Sequence, residues 1–191
     1  MIDNLRNRLK CYSYEPVSDD KDSDTRGQAA VLIPVTVSPD PGIILTVRHQ
    51  HLNSHGGEVA WPGGKQDPGD LDLQYTALRE SEEEIGLKPT DVEVLCQLRP
   101  FISKYGLLVT PYVGLVASQL ELSANPDEID AIFEVPLSYL EDDPRTDTNT
   151  IERHGEKHII PEYHFQGHRI WGLTAMILHE FLRKGVGYDI D

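Results

Sequence analysis

The sequence predicts an α/β fold in which a sheet is packed between helices, and three observations carry that expectation. Apolar runs of strand length recur between turn signals, at residues 29–37 (AAVLIPVTV), 43–48 (IILTVR) and 107–117 (LLVTPYVGLVA). An amphipathic helix occupies the second half of residues 63–87, with Leu71, Tyr75, Leu78 and Ile85 spaced three, four or seven apart on a stripe that faces a core. A second helix closes the chain at residues 173–183, with Leu173, Ile177 and Phe181 on one stripe.

The remaining elements follow in order. Ile2, Leu5 and Leu9 recur at helical spacing, so the chain opens in a short amphipathic helix. Residues 19–26 (DDKDSDTR) are a polar connector. Pro34 inside the first strand points to a sheet edge or a bulge, because proline has no N–H for a ladder. A turn at residues 38–42 makes a hairpin with the second strand, and a His-, Asn- and Gly-rich loop at 49–57 leads to the glycine turn W-P-G-G at 61–64. Residues 92–102 form a strand broken near Pro100, paired with 107–117 through a turn at 103–106. Residues 125–130 (NPDEID) are an acidic turn, 132–135 a strand, 136–140 a helical turn and 142–149 a loop. Residues 159–165 and 168–171 form a hairpin about Gln166 and Gly167, and Gly185 stops the last helix. The whole reads as one domain over 1–191, with a helix and connector over 1–28 and a core over 29–185.

Composition narrows the function. A net charge of −15, from 17 basic and 32 acidic residues, argues against a nucleic-acid partner, since phosphate backbones are held by clustered Lys and Arg. No apolar run approaches the ~20 residues that span a bilayer, so no membrane partner is expected. The N-terminus lacks the apolar core of a signal peptide, and Cys11 and Cys96 are too few for a disulfide framework, so the expected location is cytoplasmic. Oligomeric state is left open. An acidic protein can still act on a phosphorylated small molecule where metal ions neutralise the charge between them.

The strongest motif is the acidic end of the mid-chain helix. Glu80, Glu83 and Glu84 lie three and four apart, so their carboxylates converge. Glu82 sits roughly 200° from Glu80 at about 100° per residue and points elsewhere. Converging carboxylates repel, and the helix dipole disfavours negative charge at a C-terminal end. A sequence that accepts both costs suits a strongly cationic ligand, with Mg2+ foremost because it takes a few carboxylates plus substrate phosphates.

The string R-E-S-E-E-E-I-G-L, residues 79–87, resembles the core of the Nudix box: Arg-Glu, an aliphatic residue, any residue, Glu-Glu, any residue, Gly, aliphatic. Ser81 replaces the aliphatic residue. Upstream, Asp70 replaces a glutamate and stands one residue out of register, so Asp70 is not expected to be a primary metal ligand. The resemblance implies the Nudix fold, an α/β/α sandwich with a central mixed sheet. It implies a hydrolase of diphosphates linked to a nucleoside-containing group, with Glu80, Glu83 and Glu84 holding Mg2+ or Mn2+. Arg79 would orient the glutamates. Glu83 would double as general base, with Glu128 of the acidic turn as an alternative supplied by a loop.

A second pattern lies upstream. Residues 44–48 (ILTVR) and 51–64 (HLNSHGGEVAWPGG) resemble the extra signature of the coenzyme A diphosphatase branch of the Nudix family. Leu45, Thr46, Arg48, Gly57, Pro62, Gly63 and Gly64 fall in register; His49, Asn53 and Trp61 depart from it. Residues 170–178 (IWGLTAMIL) also resemble that branch, so the likeness spans about residues 29–182. It implies coenzyme A or an acyl derivative as the small-molecule partner. Arg48 pairs with acids or contacts a substrate phosphate, and His55 is a further substrate contact. Gly63 and Gly64 make the turn or present a backbone carbonyl to a metal. Asn53 stands where a cation is expected, and coenzyme A carries a 3'-phosphate and a diphosphate that want positive partners; His51 or His55 is the replacement. Other readings are a Nudix hydrolase for ADP-ribose, a dinucleotide or a nucleoside triphosphate, and a non-catalytic nucleotide sensor, which has no need of an intact glutamate triad.

Overall fold

The computed structural model describes residues 1–13, 27–52, 55–153 and 156–188, and of 147–153 and 156–160 the backbone alone. In chain order the elements are α1 (Ile2–Lys10), β1 (Gln28–Val37), β2 (Gly42–Arg48), β3 (Val59–Ala60), β4 (Gly63–Lys65) and α2 (Leu73–Ile85). There follow β5 (Val92–Gln97), β6 (Phe101–Ile102), β7 (Leu108–Ala117), β8 (Ile129–Pro136) and α3 (Leu137–Glu141). Then come β9 (Asp147–Arg153), β10 (Glu156–Phe165), β11 (His168–Ile170) and α4 (Gly172–Phe181), which runs into a π-helical turn over Leu182–Val186.

The main sheet is built around β1. It runs parallel to β7 from Gln28 opposite Leu108 to Val37 opposite Ala117. On its other side β4 pairs antiparallel with Ala29, Ala30 and Val31, and β2 pairs through Val35 and Ile43. β5 and β6 add to β7, and β3 and β8 add to β2, all antiparallel. The sheet is therefore mixed, and helices cover both faces. Ala77 and Ile85 of α2 pack with Ala30, Leu32, Ile44, Tyr112 and Val116 on one face. Leu5 and Leu9 of α1 and Ile177, Leu178 and Phe181 of α4 pack with Ile33, Val35, Ile43, Leu45 and Val113 on the other. This is the expected α/β/α arrangement. The opening helix, the hairpin of β1 and β2, the pairing of residues 92–102 with β7, and the β10–β11 hairpin are all present.

Several expectations are corrected. Pro34 marks neither an edge nor a bulge: β1 is central, and Pro34 pairs with Gly114 of β7. The N–H of Leu32 turns away from β7 to the carbonyl of Pro62, 2.8 Å. Two residues on, the proline nitrogen faces the same side, where β1 changes partner from β4 to β2, so no ladder bond is lost. Leu71 does not face the core; it is 86% exposed, and Tyr75 is also exposed. Asp72 caps α2 by accepting the N–H of Tyr75 at 2.7 Å, so the helix starts after Leu71. The buried stripe is Thr76, Ala77, Ser81, Glu84 and Ile85, mostly small side chains that let α2 lie close to β1 and β4. Ser81, which stands for an aliphatic residue, is buried with its hydroxyl donating to the carbonyl of Ala77 at 2.6 Å.

Gly63 and Gly64 are not a turn but the start of β4. Residues 147–149 belong to β9 rather than to a loop, and Gly185 lies inside the π-helical turn, which ends at Gly187 with φ 88°. The connector at 19–26 and Asn53 lie outside the described residues.

Candidate functional site

The last turns of α2 meet β4 and the end of β2. Burying Ala77, Ser81 and Ile85 against the sheet carries Glu84 inward with them, because positions three, four and seven apart share a face. Glu84 is 2% exposed. One carboxylate oxygen accepts the N–H of Gly63 at 3.0 Å, and the other lies 3.5 Å from Nη1 of Arg48. Burial pushes this carboxyl up to about 7, against the pull of Gly63 and Arg48, and the charges of Glu80 and Glu128 push the same way.

Glu80 lies one turn earlier, its carboxylate against the backbone of Gly64. A side chain at Gly64 would collide with that carboxylate, and one at Gly63 (φ 148°) would collide with the backbone of Ala30 and Val31. Glycine is thus required at both positions for a close approach of strand and helix. Burial raises the Glu80 carboxyl, and Arg79 opposes that rise.

Arg79 is the hub. Its Nε and Nη2 donate to the two oxygens of Asp70, its Nη2 also donates to Glu80 at 2.9 Å and to the carbonyl of Lys65 at 3.3 Å, and its Nη1 donates to Glu83 at 2.9 Å. It thereby holds Glu80 and Glu83 by direct hydrogen bonds. Glu83 reaches the same guanidinium as Glu80: its side chain is 56% exposed and accepts from Nη1 of Arg79, and its charge raises the Glu80 carboxyl. Among the described residues no three His, Cys, Asp or Glu side chains stand together as a ready metal cluster. Asp70 is fully engaged, by Arg79, by the hydroxyl of Thr76 at 2.8 Å and by the N–H of Asp67 at 3.0 Å. The Arg79 hydrogen bonds hold its carboxyl well below the usual carboxylate range.

The acidic turn is pinned to the same place. The N–H of Asn125 donates to the carbonyl of Glu84 at 2.8 Å, and the N–H of His49 donates to the carbonyl of Glu128 at 2.7 Å. Glu128 is near enough that its charge raises both Glu80 and Glu84. Arg48 pairs with the buried Glu84 rather than a surface acid, and its Nε is buried without a hydrogen-bond partner. His55 (φ 58°) is joined to Glu58 at 2.7 Å and sits edge-on to Tyr105, 5.7 Å between ring centroids. The bond from Asn125 to Glu84 escaped the sequence, because a backbone hydrogen bond between distant segments leaves no mark on residue type.

The donor set suits a hard divalent cation. Two carboxylates are raised by burial and by neighbouring acids, Glu80 by the charges of Glu83 and Glu128 and Glu84 by those of Glu80 and Glu128, and Gly64 keeps the Glu80 carboxylate clear of any intervening side chain. A positive charge there would offset the repulsion among these carboxylates.

Comparisons with known proteins fit this geometry. The model of the NUDIX domain matches residues 26–154. The uncharacterized Nudix hydrolase NudL of Photorhabdus laumondii is 45% identical over 162 residues, covering 85% of this chain and 87% of that protein. The solved MutT/nudix family protein of Enterococcus faecalis shares the fold at a TM-score of 0.53 and 17% identity, over 96% of this chain and 68% of that one. The Nudix hydrolase RenU of M. smegmatis does so at 0.51 and 21%, over 61% and 74%. With the box residues on α2, the mixed sheet between helices and these likenesses, the chain belongs to the Nudix family and is a hydrolase of phosphorus-containing anhydrides.

Proposed function

We propose that the enzyme hydrolyses the diphosphate linkage of coenzyme A or an acyl-coenzyme A, using Mg2+ or Mn2+ and releasing adenosine 3',5'-bisphosphate and 4'-phosphopantetheine. The observation that carries this reading is Arg48. It ends the L-T-V-R string, it stands against Glu84, and its buried Nε has no partner. An unpartnered buried donor costs about 1–3 kcal/mol, so the residue is suited to an anionic oxygen. A diphosphate supplies one.

Glu80, Glu83 and Glu84 would hold the cation, which would supply charge neutralisation to the diphosphate oxygens and acidity to the attacking water. Arg79 fixes Glu80 and Glu83 from one side. Arg79 occupies Oε2 of Glu83, which leaves Oε1 to take the proton of the water. Glu128, held by the pinned turn, is the alternative base. Arg48 orients one phosphate, and His55 and the Gly63–Gly64 backbone line the approach.

The test is catalytic efficiency on coenzyme A, dephospho-coenzyme A, ADP-ribose and a nucleoside triphosphate in one metal buffer, with products identified. Coenzyme A should lead. Turnover of ADP-ribose or the triphosphate about tenfold better than coenzyme A, some 1.4 kcal/mol of transition-state preference, would remove the coenzyme A assignment.

A further inference from the structure

The turn between β6 and β7 presents an aromatic ring and a cation beside the β2–β3 loop. Tyr105 is 71% exposed. Its turn is nonetheless rigidly made: Ser103 N–H donates to the Leu107 carbonyl at 2.8 Å, Gly106 N–H to the Ser103 carbonyl at 3.0 Å, and Leu107 N–H to the Ser103 hydroxyl at 3.1 Å. Gly106 supplies the φ of 79° that this turn needs. The ring of His55 meets Tyr105 at 75°, and Nζ of Lys104 lies 4.9 Å from the Tyr105 ring centroid. Among the described residues Lys104 has no carboxylate partner.

This corner connects to the site through short steps. His55 is bonded to Glu58, the carbonyl of Glu58 accepts the N–H of Arg48 at 3.0 Å, and Arg48 faces Glu84. The β6–β7 turn also lies at the end of β1 that carries β4, since Gln28 pairs with Leu108 and Leu108 with Ile102, while Ala29 pairs with Lys65. A substrate whose diphosphate sits against Glu84 and Arg48 therefore has its remaining length within reach of Tyr105 and Lys104.

We propose that Tyr105 and Lys104 form the subsite for the 3'-phosphorylated adenosine of the substrate. The nucleobase stacks on the Tyr105 ring, and the Lys104 ammonium leaves that ring for the 3'-phosphate. The exchange is downhill, because an exposed cation–π contact is weaker than a charge-assisted bond to phosphate. Lys104 thereby supplies the cation that Asn53 does not. The inference rests on the coenzyme A reading above, and it makes Lys104 the residue that tells coenzyme A from its dephospho form.

The test uses wild type, Lys104→Ala and Tyr105→Ala with coenzyme A and dephospho-coenzyme A, together with calorimetric binding of adenosine 3',5'-bisphosphate and AMP. Lys104→Ala should raise KM for coenzyme A about tenfold, the loss expected of one charge-assisted contact, with kcat and the dephospho-coenzyme A KM unchanged. Tyr105→Ala should raise both KM values alike. Wild type should bind the bisphosphate more tightly than AMP, and Lys104→Ala should abolish that difference. Equal effects of Lys104→Ala on both substrates, or no effect, would overturn the subsite while leaving the coenzyme A reading intact. Absence of coenzyme A turnover in wild type would instead sink the reading. The bisphosphate-against-AMP comparison needs no turnover, and equal binding of the two by wild type overturns the subsite in either case.

Discussion

Arg79 and Asp70 are joined by two parallel hydrogen bonds, Nε to Oδ1 at 2.9 Å and Nη2 to Oδ2 at 3.0 Å. The pair fastens the loop before α2 to the helix's second turn, and so fixes the guanidinium that holds Glu80 and Glu83. That engagement of both Asp70 oxygens accords with the expectation that Asp70 is not a primary metal ligand. Asp70→Asn should leave the Mg2+ concentration for half-maximal activity unchanged, while kcat falls about tenfold as one charge-assisted fork is weakened. A shift in Mg2+ requirement as large as that of Glu84→Gln would show that Asp70 reaches the metal.

The central helix and its carboxylates were legible because helical spacing alone places Glu80 and Glu84 on one face. The hold of Arg79 on Glu83 was not, since it depends on side-chain torsions that spacing does not decide. Leu71 misled for a related reason. Its spacing is helical, yet Asp72 caps the helix one residue later, and a cap competes with periodicity for the same residues. Pro34 reads as an edge under a local rule, whereas β1 keeps its centre by changing partners at that point. Residues 147–149 passed as a loop because they are polar and carry no alternation, whereas the fold pairs them with Ile160, Pro161 and Glu162 of β10. Glu128 was named for its place in an acidic turn; the Asn125 bond that pins that turn could only come from the fold.

Metal binding should be visible without turnover. Glu84 is a buried carboxylate raised to about 7, so a cation that binds it stabilises the folded state alone. At a hundredfold excess over Kd the gain is about 2.7 kcal/mol, or roughly 5–10 °C in Tm for a chain of this size. Glu84→Gln keeps the shape and removes the charge, so it should lose most of that Mg2+-induced rise, and kcat should fall by orders of magnitude. An undiminished thermal shift, or near-wild-type turnover at saturating Mg2+, would take Glu84 out of the metal site.

Acid stability should depend on a residue far from the carboxylates of α2. Glu162 is buried on β10, accepts two hydrogen bonds from Arg169 at 2.7 and 2.6 Å, and meets His164 Nε2 at 2.8 Å. The Arg169 bonds hold it down from 4.5 to about 2. A lowered carboxylate stabilises the fold above its ordinary value, and that contribution fades as pH falls from about 4.5 to about 2. Glu162→Gln should therefore melt lower than wild type at neutral pH, with the gap closing across that window. A gap that stays constant down to pH 2 would mean the residue acts by packing alone.

Positions 53 and 104 should behave as alternatives. The coenzyme A signature expects a cation where Asn53 stands, and one missing charge-assisted contact of about 1.5–3 kcal/mol leaves binding one to two decades weaker. Asn53→Arg should therefore lower KM for coenzyme A more than for dephospho-coenzyme A. If Lys104 already meets the 3'-phosphate, the two cations serve one group and their effects cannot be independent. The gain from Asn53→Arg should then be small in wild type and large in the Lys104→Ala background, where it restores the lost preference for coenzyme A. A double-mutant cycle on KM measures this directly. Additive effects would mean that the two positions address different parts of the substrate, and a gain shared equally with dephospho-coenzyme A would direct Arg at position 53 to the diphosphate instead.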